Sequence, residues 1–359
     1  MRGLFLLIGL MICVSPIKAI EPSPRNASGL GEAYGFVLVQ NLTLQRIADD
    51  YPDLAREALL AKLEFQRTFG DIHANLEPKL VEFLGEEVFK AFRAKLENQL
   101  MDMAQGEEIR RILAENFLEE VRNRARGDIY SPTLEYLLAV RFSENPVSEY
   151  SSGFRQTFQT DGSGKSRGLV LRIQLPKSWQ EKEADRPHIV RKWQSEAGTG
   201  MELVILHVRE TDGVHISRSD VAEMLQPGEV DALVPADGVL YDYGMVTIEG
   251  LPGYFIDFGQ LAERAGTVMF QQMRQYVFFY KDRAVSVQCS VGALESDHEL
   301  VEGRFARVKP LCAQIFNSVV LPELYLAPEK QRGKIESVMM PTKPLDYRSK
   351  SSSIASLSN

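Results

Sequence analysis

The chain has 359 residues, 44% hydrophobic and 25% charged, with a formal charge of −8 and three cysteines. This composition excludes a collagen-like chain, a wholly disordered chain and a disulfide-dense mini-protein, and the length has room for two domains of ordinary size. The acidic balance argues against a general nucleic-acid backbone binder, which needs a basic surface.

The first 19 residues have the three parts of a secretory signal peptide: Arg2, an apolar core from Leu4 to Val14, and a break at Ser15-Pro16 before the small residue Ala19. Ile17 at the −3 position is less comfortable than alanine, so an uncleaved N-terminal anchor is the alternative. Ile12 is too bulky beside Cys13 for a lipidation site. The apolar core is short of the roughly 20 residues a membrane span needs, and no other run is long enough. The expectation is an exported protein, periplasmic or secreted, with no transmembrane span once the leader is removed. Cleavage removes Arg2 and Lys18, makes the chain more acidic, and leaves Cys289 and Cys312.

Residues 20–29 are Pro-rich and polar and read as a flexible lead-in. Asn26-Ala27-Ser28 and Asn41-Leu42-Thr43 match a glycosylation sequon, a motif frequent by chance. Residues 30–127 read as a helical domain. Pro52 is placed to start a helix, Gly70 to end it and Asp71 to cap the next. Leu80, Phe83, Leu84, Phe92 and Leu96 continue the helical spacing around a break at Gly85. Beyond Gly106, Ile109, Ile112, Leu113, Phe117, Leu118 and Val121 mark a further helix. Wide apolar stripes of this kind suit a bundle that buries one face of each helix.

Residues 128–167 read as a connecting segment. Ser131-Pro132 breaks the helix, a short apolar run follows from Leu134 to Phe142, and Asp161-Gly162-Ser163-Gly164-Lys165-Ser166 ends it. That last stretch resembles the end of a phosphate-binding loop. However, Gln159 stands where the motif needs its first glycine and the preceding residues are polar, so it reads as a turn.

Residues 168–322 switch to strand-like alternation. Leu171, Ile173 and Leu175 alternate with Arg172 and Gln174. His188–Ser195 and Glu202–Arg209 form a hairpin, and Ser217 caps a short helix to Leu225. Four strands follow, Val239–Ile248, Pro252–Leu261, Val268–Tyr280 and Ala284–Val291, before a helix from about Asp297 to Asn317. The fold class expected is α+β: an all-helical N-terminal domain, then an α/β/α sandwich built on an antiparallel sheet. Residues 323–359, with Pro328, Pro341, Pro344 and a Ser-rich end, read as a disordered tail.

Leu175-Pro176-x-x-Trp179, the paired strands, the short helix, the four-strand meander and the closing helix together resemble the PsbP-like family over residues 168–322. The resemblance implies an α/β/α sandwich and a binding or assembly role, and it supplies no catalytic set.

Period-2 alternation puts Cys289 with Val285, Val287 and Val291 on one strand face. Helical spacing puts Cys312 with Val308, Leu311 and Ile315 on one stripe. Both thiols therefore face the core and are candidates for a disulfide, whose loop of about 24 residues would contribute about 3 kcal/mol by chain entropy. On the long strand, Phe270, Tyr276 and Phe278 share one face, and Met273, Val277 and Phe279 the other. Helices are thus expected over both faces. Gln272 and Arg274 interrupt one face, Gln271 and Gln275 the other, and these four are the tentative binding surface.

None of the five histidines has metal-ligand spacing with another, no G-x-S-x-G elbow occurs, and no cofactor motif stands. The function expected is an exported, non-enzymatic binding or assembly module that meets a protein partner in the envelope or outside the cell. The alternative is a hydrolase or other enzyme in an inter-domain cleft, using groups such as His73, His188, His207, Asp242 and Arg274.

Overall fold

The computed structural model describes residues 24–104, 108–129, 131–264 and 266–326. The expected signal peptide and the tail beyond residue 326 lie outside these residues. Up to Val320 the chain forms one compact unit. Leu321–Asn359 is a second unit, in which the described structure is a 3₁₀ turn, Pro322–Tyr325.

Seven helices come first: α1 (Pro24–Asp50), α2 (Ala55–Phe69), α3 (Ile72–Leu84), α4 (Glu86–Ala104), α5 (Arg111–Arg126), α6 (Pro132–Phe142) and α7 (Pro146–Ser151). The long α1 is the spine of this half, packed against α2, α3, α4 and α6. Its buried residues Leu30, Tyr34 and Ile47 join Phe65, Leu76, Leu80, Leu118 and Leu137 in one core. Gly29 lets α6 approach, because the Tyr136 ring lies where a side chain would begin. Asp71 caps α3, accepting from the backbone N–H groups of His73 and Ala74.

The chain is more helical at both ends of this half than the sequence pattern indicates. α1 begins at Pro24, inside the expected lead-in, since proline suits the first turn of a helix. Ser131-Pro132 starts α6 as well as breaking the preceding helix: Ser131 accepts from the Leu134 N–H, and Pro132 occupies the first turn. The run Leu134–Phe142 is thus a core helix of the bundle.

Then come β1 (Arg155–Gln159), β2 (Arg172–Pro176), β3 (Gln180–Lys182), β4 (Ile189–Gln194), the one-turn α8 (Ser195–Gly198) and β5 (Glu202–Glu210). They are followed by α9 (Arg218–Met224), β6 (Gly238–Ile248), β7 (Leu251–Arg264), β8 (Thr267–Tyr280), β9 (Arg283–Leu294) and α10 (His298–Asn317). β1 and β2 make a two-stranded ribbon. The other seven form one antiparallel sheet in the order β3-β4-β5-β9-β8-β7-β6. The expected α+β architecture is therefore present, a helical half followed by an antiparallel sheet with helical cover.

The cover is unequal. α10 lays Val301, Phe305, Val308, Leu311 and Ile315 on one face, and its Phe316 stacks on Tyr276 with centroids 4.4 Å apart. The other face receives the seven-residue α9 and a 3₁₀ turn, Val230–Leu233. These bury Val221 and Val230 against Tyr254, Ile256, Phe258, Met273, Val277 and Phe279.

Two buried polar contacts lock loops onto this frame. Glu149 of α7 accepts from both the N–H and the hydroxyl of Ser178, each at 2.7 Å. Arg304 of α10, 2% exposed, bonds Glu202 at 2.7 Å and also Glu196. Glu196 and Ala197 both sit at φ 52, a left-handed conformation that disfavours side chains. The Arg304 contact anchors that turn.

Removing Arg304 strands two buried carboxylates. We predict that Arg304→Met lowers unfolding free energy by about 3–5 kcal/mol in urea titrations. Adding Glu196→Gln and Glu202→Gln should return part of that loss.

Candidate functional site

The short cover on the second sheet face leaves an open trough of about 740 Å³. Its floor follows from register. Ile189, His207, Ser286, Val277 and Tyr254 lie opposite one another across β4, β5, β9, β8 and β7, one residue per strand. The next rows bring Ile205, Gln288 and Gln275 on one side, and Arg209, Ala284 and Phe279 on the other. Alternation explains the split between the faces. On β5, Val204, Leu206 and Val208 are fully buried, while Ile205 and His207 are half-buried in the trough. Ala232 to Pro235 forms a wall, and Arg186 and His188 stand at the rim just before β4.

The rings of His188 and His207 stack, with centroids 5.7 Å apart and planes at 15°. Burial, then the charges of His188, Arg209 and Arg186, pushes the His207 pKa down to about 4, against a weaker opposing hydrogen bond from Gln288. Burial, with Arg209, Arg186 and Arg167 beside it, also lowers that of His188. Both rings are neutral at pH 7 as a result. Nε2 of His207 is buried without a hydrogen-bond partner among the described residues. Gln275 donates to Ser286 Oγ at 2.8 Å. No carboxylate lines the trough among the described residues, and none of them forms an ion pair with Arg186 or Arg209.

Of the four residues expected to make a binding surface, one lies in the trough, Gln275. Gln271 shares its face but covers Gly292, its cross-strand partner. Gln272 and Arg274 point to the α10 side. Arg274 bonds Asp257 at 2.7 Å and Asp242 at 3.3 Å, and packs over Phe255. Lys309 of α10 reaches Asp257 at 2.7 Å. Arg274 clamps β8 to β7 and β6 through Asp257 and Asp242, and Lys309 ties the same buried Asp257 to α10.

The expected catalytic groups do not converge. His188 and His207 belong to the trough, Asp242 and Arg274 to the opposite face, and His73 pairs with Glu77 on the exposed side of α3 at 2.6 Å. Between α6, α7 and the turn before β5, the cavity measures about 20 Å³, room for one water molecule. His207 and Ser286 are register partners. Yet His207 Nε2 has no hydrogen-bond partner among the described residues, so the two form no nucleophile–base hydrogen bond through that atom. Lys165 of the phosphate-loop-like turn donates to the Ala184 carbonyl, and Asp161 accepts from Ser163, which makes the stretch a turn. Among the described residues, no group of three or more His, Cys, Asp or Glu is placed to hold a metal ion. No helix there is long and apolar enough to cross a membrane.

The expected disulfide is not shown: Cys289 and Cys312 meet under α10 as their faces require, and both stand as free, buried thiols. Burial and the neighbouring Cys289 hold the Cys312 thiol well above its ordinary pKa.

The residues that sequence reasoning missed are Arg186, Arg209, Ser286, Gln288, Tyr254 and Phe258. The available signal was β5, where Ile205, His207 and Arg209 occupy the alternate positions of a strand whose other face carries Val204, Leu206 and Val208.

No protein-family model matches the chain, and no curated protein matches it. Solved structures with a similar fold cover about half of it at low identity. The cyanobacterial PsbP protein CyanoP from Synechocystis is 14% identical over 46% of this chain and 92% of its own, with a TM-score of 0.31. The Ran-binding protein Mog1p of Saccharomyces cerevisiae is 8% identical over 46% and 95%, with a TM-score of 0.32. LpqN of Mycobacterium tuberculosis, described as involved in cell envelope biogenesis, is 13% identical over 49% and 96%, with a TM-score of 0.29.

The unfolded chain protonates His207 near pH 6.5, whereas the folded chain resists until about pH 4. Stability contributed by the neutral ring is therefore present above pH 6.5 and lost as pH falls toward 4, by up to about 1.4 kcal/mol per unit. His207→Gln is expected to flatten that slope relative to the parent chain in urea titrations at pH 4.5, 5.5 and 7. The groups facing the ring (Arg186, His188, Arg209 and Gln288) remain unchanged in the comparison, as does Glu149, which burial raises to about 7.

Proposed function

We propose that the chain is an exported, non-enzymatic binding module that recognises its ligand in the trough of the sheet. The trough itself carries this reading. It is a concave surface floored by apolar side chains, with a few polar groups converging on it, the usual anatomy of a recognition site. Holding rather than turnover is favoured by the arrangement of the reactive groups. His207 Nε2 makes no hydrogen bond to Ser286, whose hydroxyl oxygen accepts from Gln275, and the thiols lie beneath α10 on the far face. Export rests on the signal-peptide pattern of residues 1–19, and places the partner in the envelope or the extracellular space.

The test has two arms. The full chain, expressed with its leader in a bacterial host, is expected in the periplasm with a mass that begins at Ile20. Recovery in the cytosol with the leader intact overturns export. Isotope-labelled mature chain mixed with native envelope extract is expected to shift the His207 ring and the Gln275 and Gln288 amide signals. The bound component should be recovered chemically unchanged. Shifts confined to the helical half, or none, overturn the trough as the recognition site, and conversion of the bound component overturns the non-enzymatic reading.

A further inference from the structure

The trough is polar at one end and apolar at the other, and the gradient runs across the strands. On the β4–β5 side stand Arg186, His188, His207 and Arg209. The middle strand β9 contributes the neutral Ser286 and Gln288. On the β8–β7 side the floor is Met273, Val277, Phe279, Tyr254 and Phe258, all less than 10% exposed and roofed by Leu233 and Val234. From β5 to β7 is three strand spacings, about 14 Å.

Charge at the polar end is of one sign. Arg186 and Arg209 are exposed and have no ion-pair partner among the described residues, and no carboxylate lines the trough there. The field they make is strong enough to act on the neighbouring histidines, which it helps to keep neutral. The buried Nε2 of His207 is in addition a hydrogen-bonding atom with no partner among the described residues.

From these features we infer that the trough binds an amphipathic organic anion, its carboxylate or phosphate head between Arg186 and Arg209 and its apolar body toward β8 and β7, against the half-buried Ile205, Ala284, Leu233 and Val234. This rests on the reading of the trough as the recognition site and names what it takes. A guanidinium pair suits either head group, because each presents paired oxygens to the planar donor fork.

The test is calorimetric titration of the mature chain with five probes: decanoate, decyl phosphate, decyltrimethylammonium, decanol and inorganic phosphate. Decanoate, decyl phosphate or both are expected to bind, and whichever binds more tightly identifies the head group. Decyltrimethylammonium, with the same tail and the opposite charge, is expected to bind at least about tenfold more weakly, as is inorganic phosphate. Arg186→Gln/Arg209→Gln alters two exposed side chains and should fold normally. It is expected to weaken the anionic probes about tenfold or more while leaving decanol unaffected.

Equal binding of the anionic and cationic probes, or decanoate binding unchanged in the double variant, overturns the inference. If both anionic probes fail while envelope extract still shifts the Gln275 and Gln288 signals, the ligand class is wrong and the trough remains a recognition site. If the extract fails as well, both readings fall.

Discussion

Nine consecutive residue pairs, from Glu202↔Val291 to Glu210↔Arg283, join β5 to β9 and so weld the β3–β5 strands to the β6–β9 meander. Everything that distinguishes the two faces of the sheet depends on this register. It sets Val204 opposite Cys289, Leu206 opposite Val287 and Val208 opposite Val285, all toward α10. It sets Ile205 opposite Gln288 and His207 opposite Ser286, all toward the trough. Side chains alternate with a period of two, so a slip of one residue would carry His207 beneath α10 and turn the valines of β5 outward. The register is held because that slip would bury unpaired polar groups and expose aliphatic ones. At its Glu202 end it also meets Arg304, whose two carboxylate partners fix the turn before β5.

The trough exists because one cover is too small for its sheet. Seven strands at about 4.8 Å spacing make a surface about 29 Å wide. α9 has seven residues and is about 10 Å long, so even with the 3₁₀ turn after it the cover is shorter than the sheet is wide, and Ile205, His207, Gln288 and Gln275 stay only half-buried. The opposite face has the twenty-residue α10, about 30 Å long. The sequence of β8 answers this difference. Facing α10 it carries Tyr276 and Phe278 beside an arginine neutralised by two aspartates. Facing the partial cover, its apolar residues Met273, Val277 and Phe279 are interrupted by Gln275 where the cover ends.

Most of the sheet was legible in the sequence because strands buried on at least one face alternate visibly. β5 through β9 and α10 are of this kind, and so is the meeting of Cys289 with Cys312. β1 was not legible. Arg155, Thr157 and Gln159 are exposed, and its partner β2 alone carries the aliphatic residues, so the pair is recognisable only from one side. α6 was read as a connector because Ser131-Pro132 signals both the end of one helix and the start of the next. The site was less legible still. Arg274 looked like an interruption of an apolar face and so like a pocket residue. What decides its role is Asp257, a buried partner on another strand that no local pattern reveals. Arg186 and Arg209 looked like ordinary surface charges.

What sets these two arginines apart is the fate of the neighbouring carboxylates. Glu210, next to Arg209 in the chain, is held by Arg167 at 2.9 Å. Glu181 and Glu183, on the strand side of Arg186, are both taken by Arg191, and Asp282 in the β8–β9 turn by Arg283. Acids outnumber bases in the chain as a whole, 49 to 41, yet the rim of the trough is left with positive charge uncompensated. Net charge describes the distant field, whereas a concave site with low-dielectric walls responds to the few charges that face it. The stacked histidines meet the same field, and burial together with these arginines lowers the pKa of both rings.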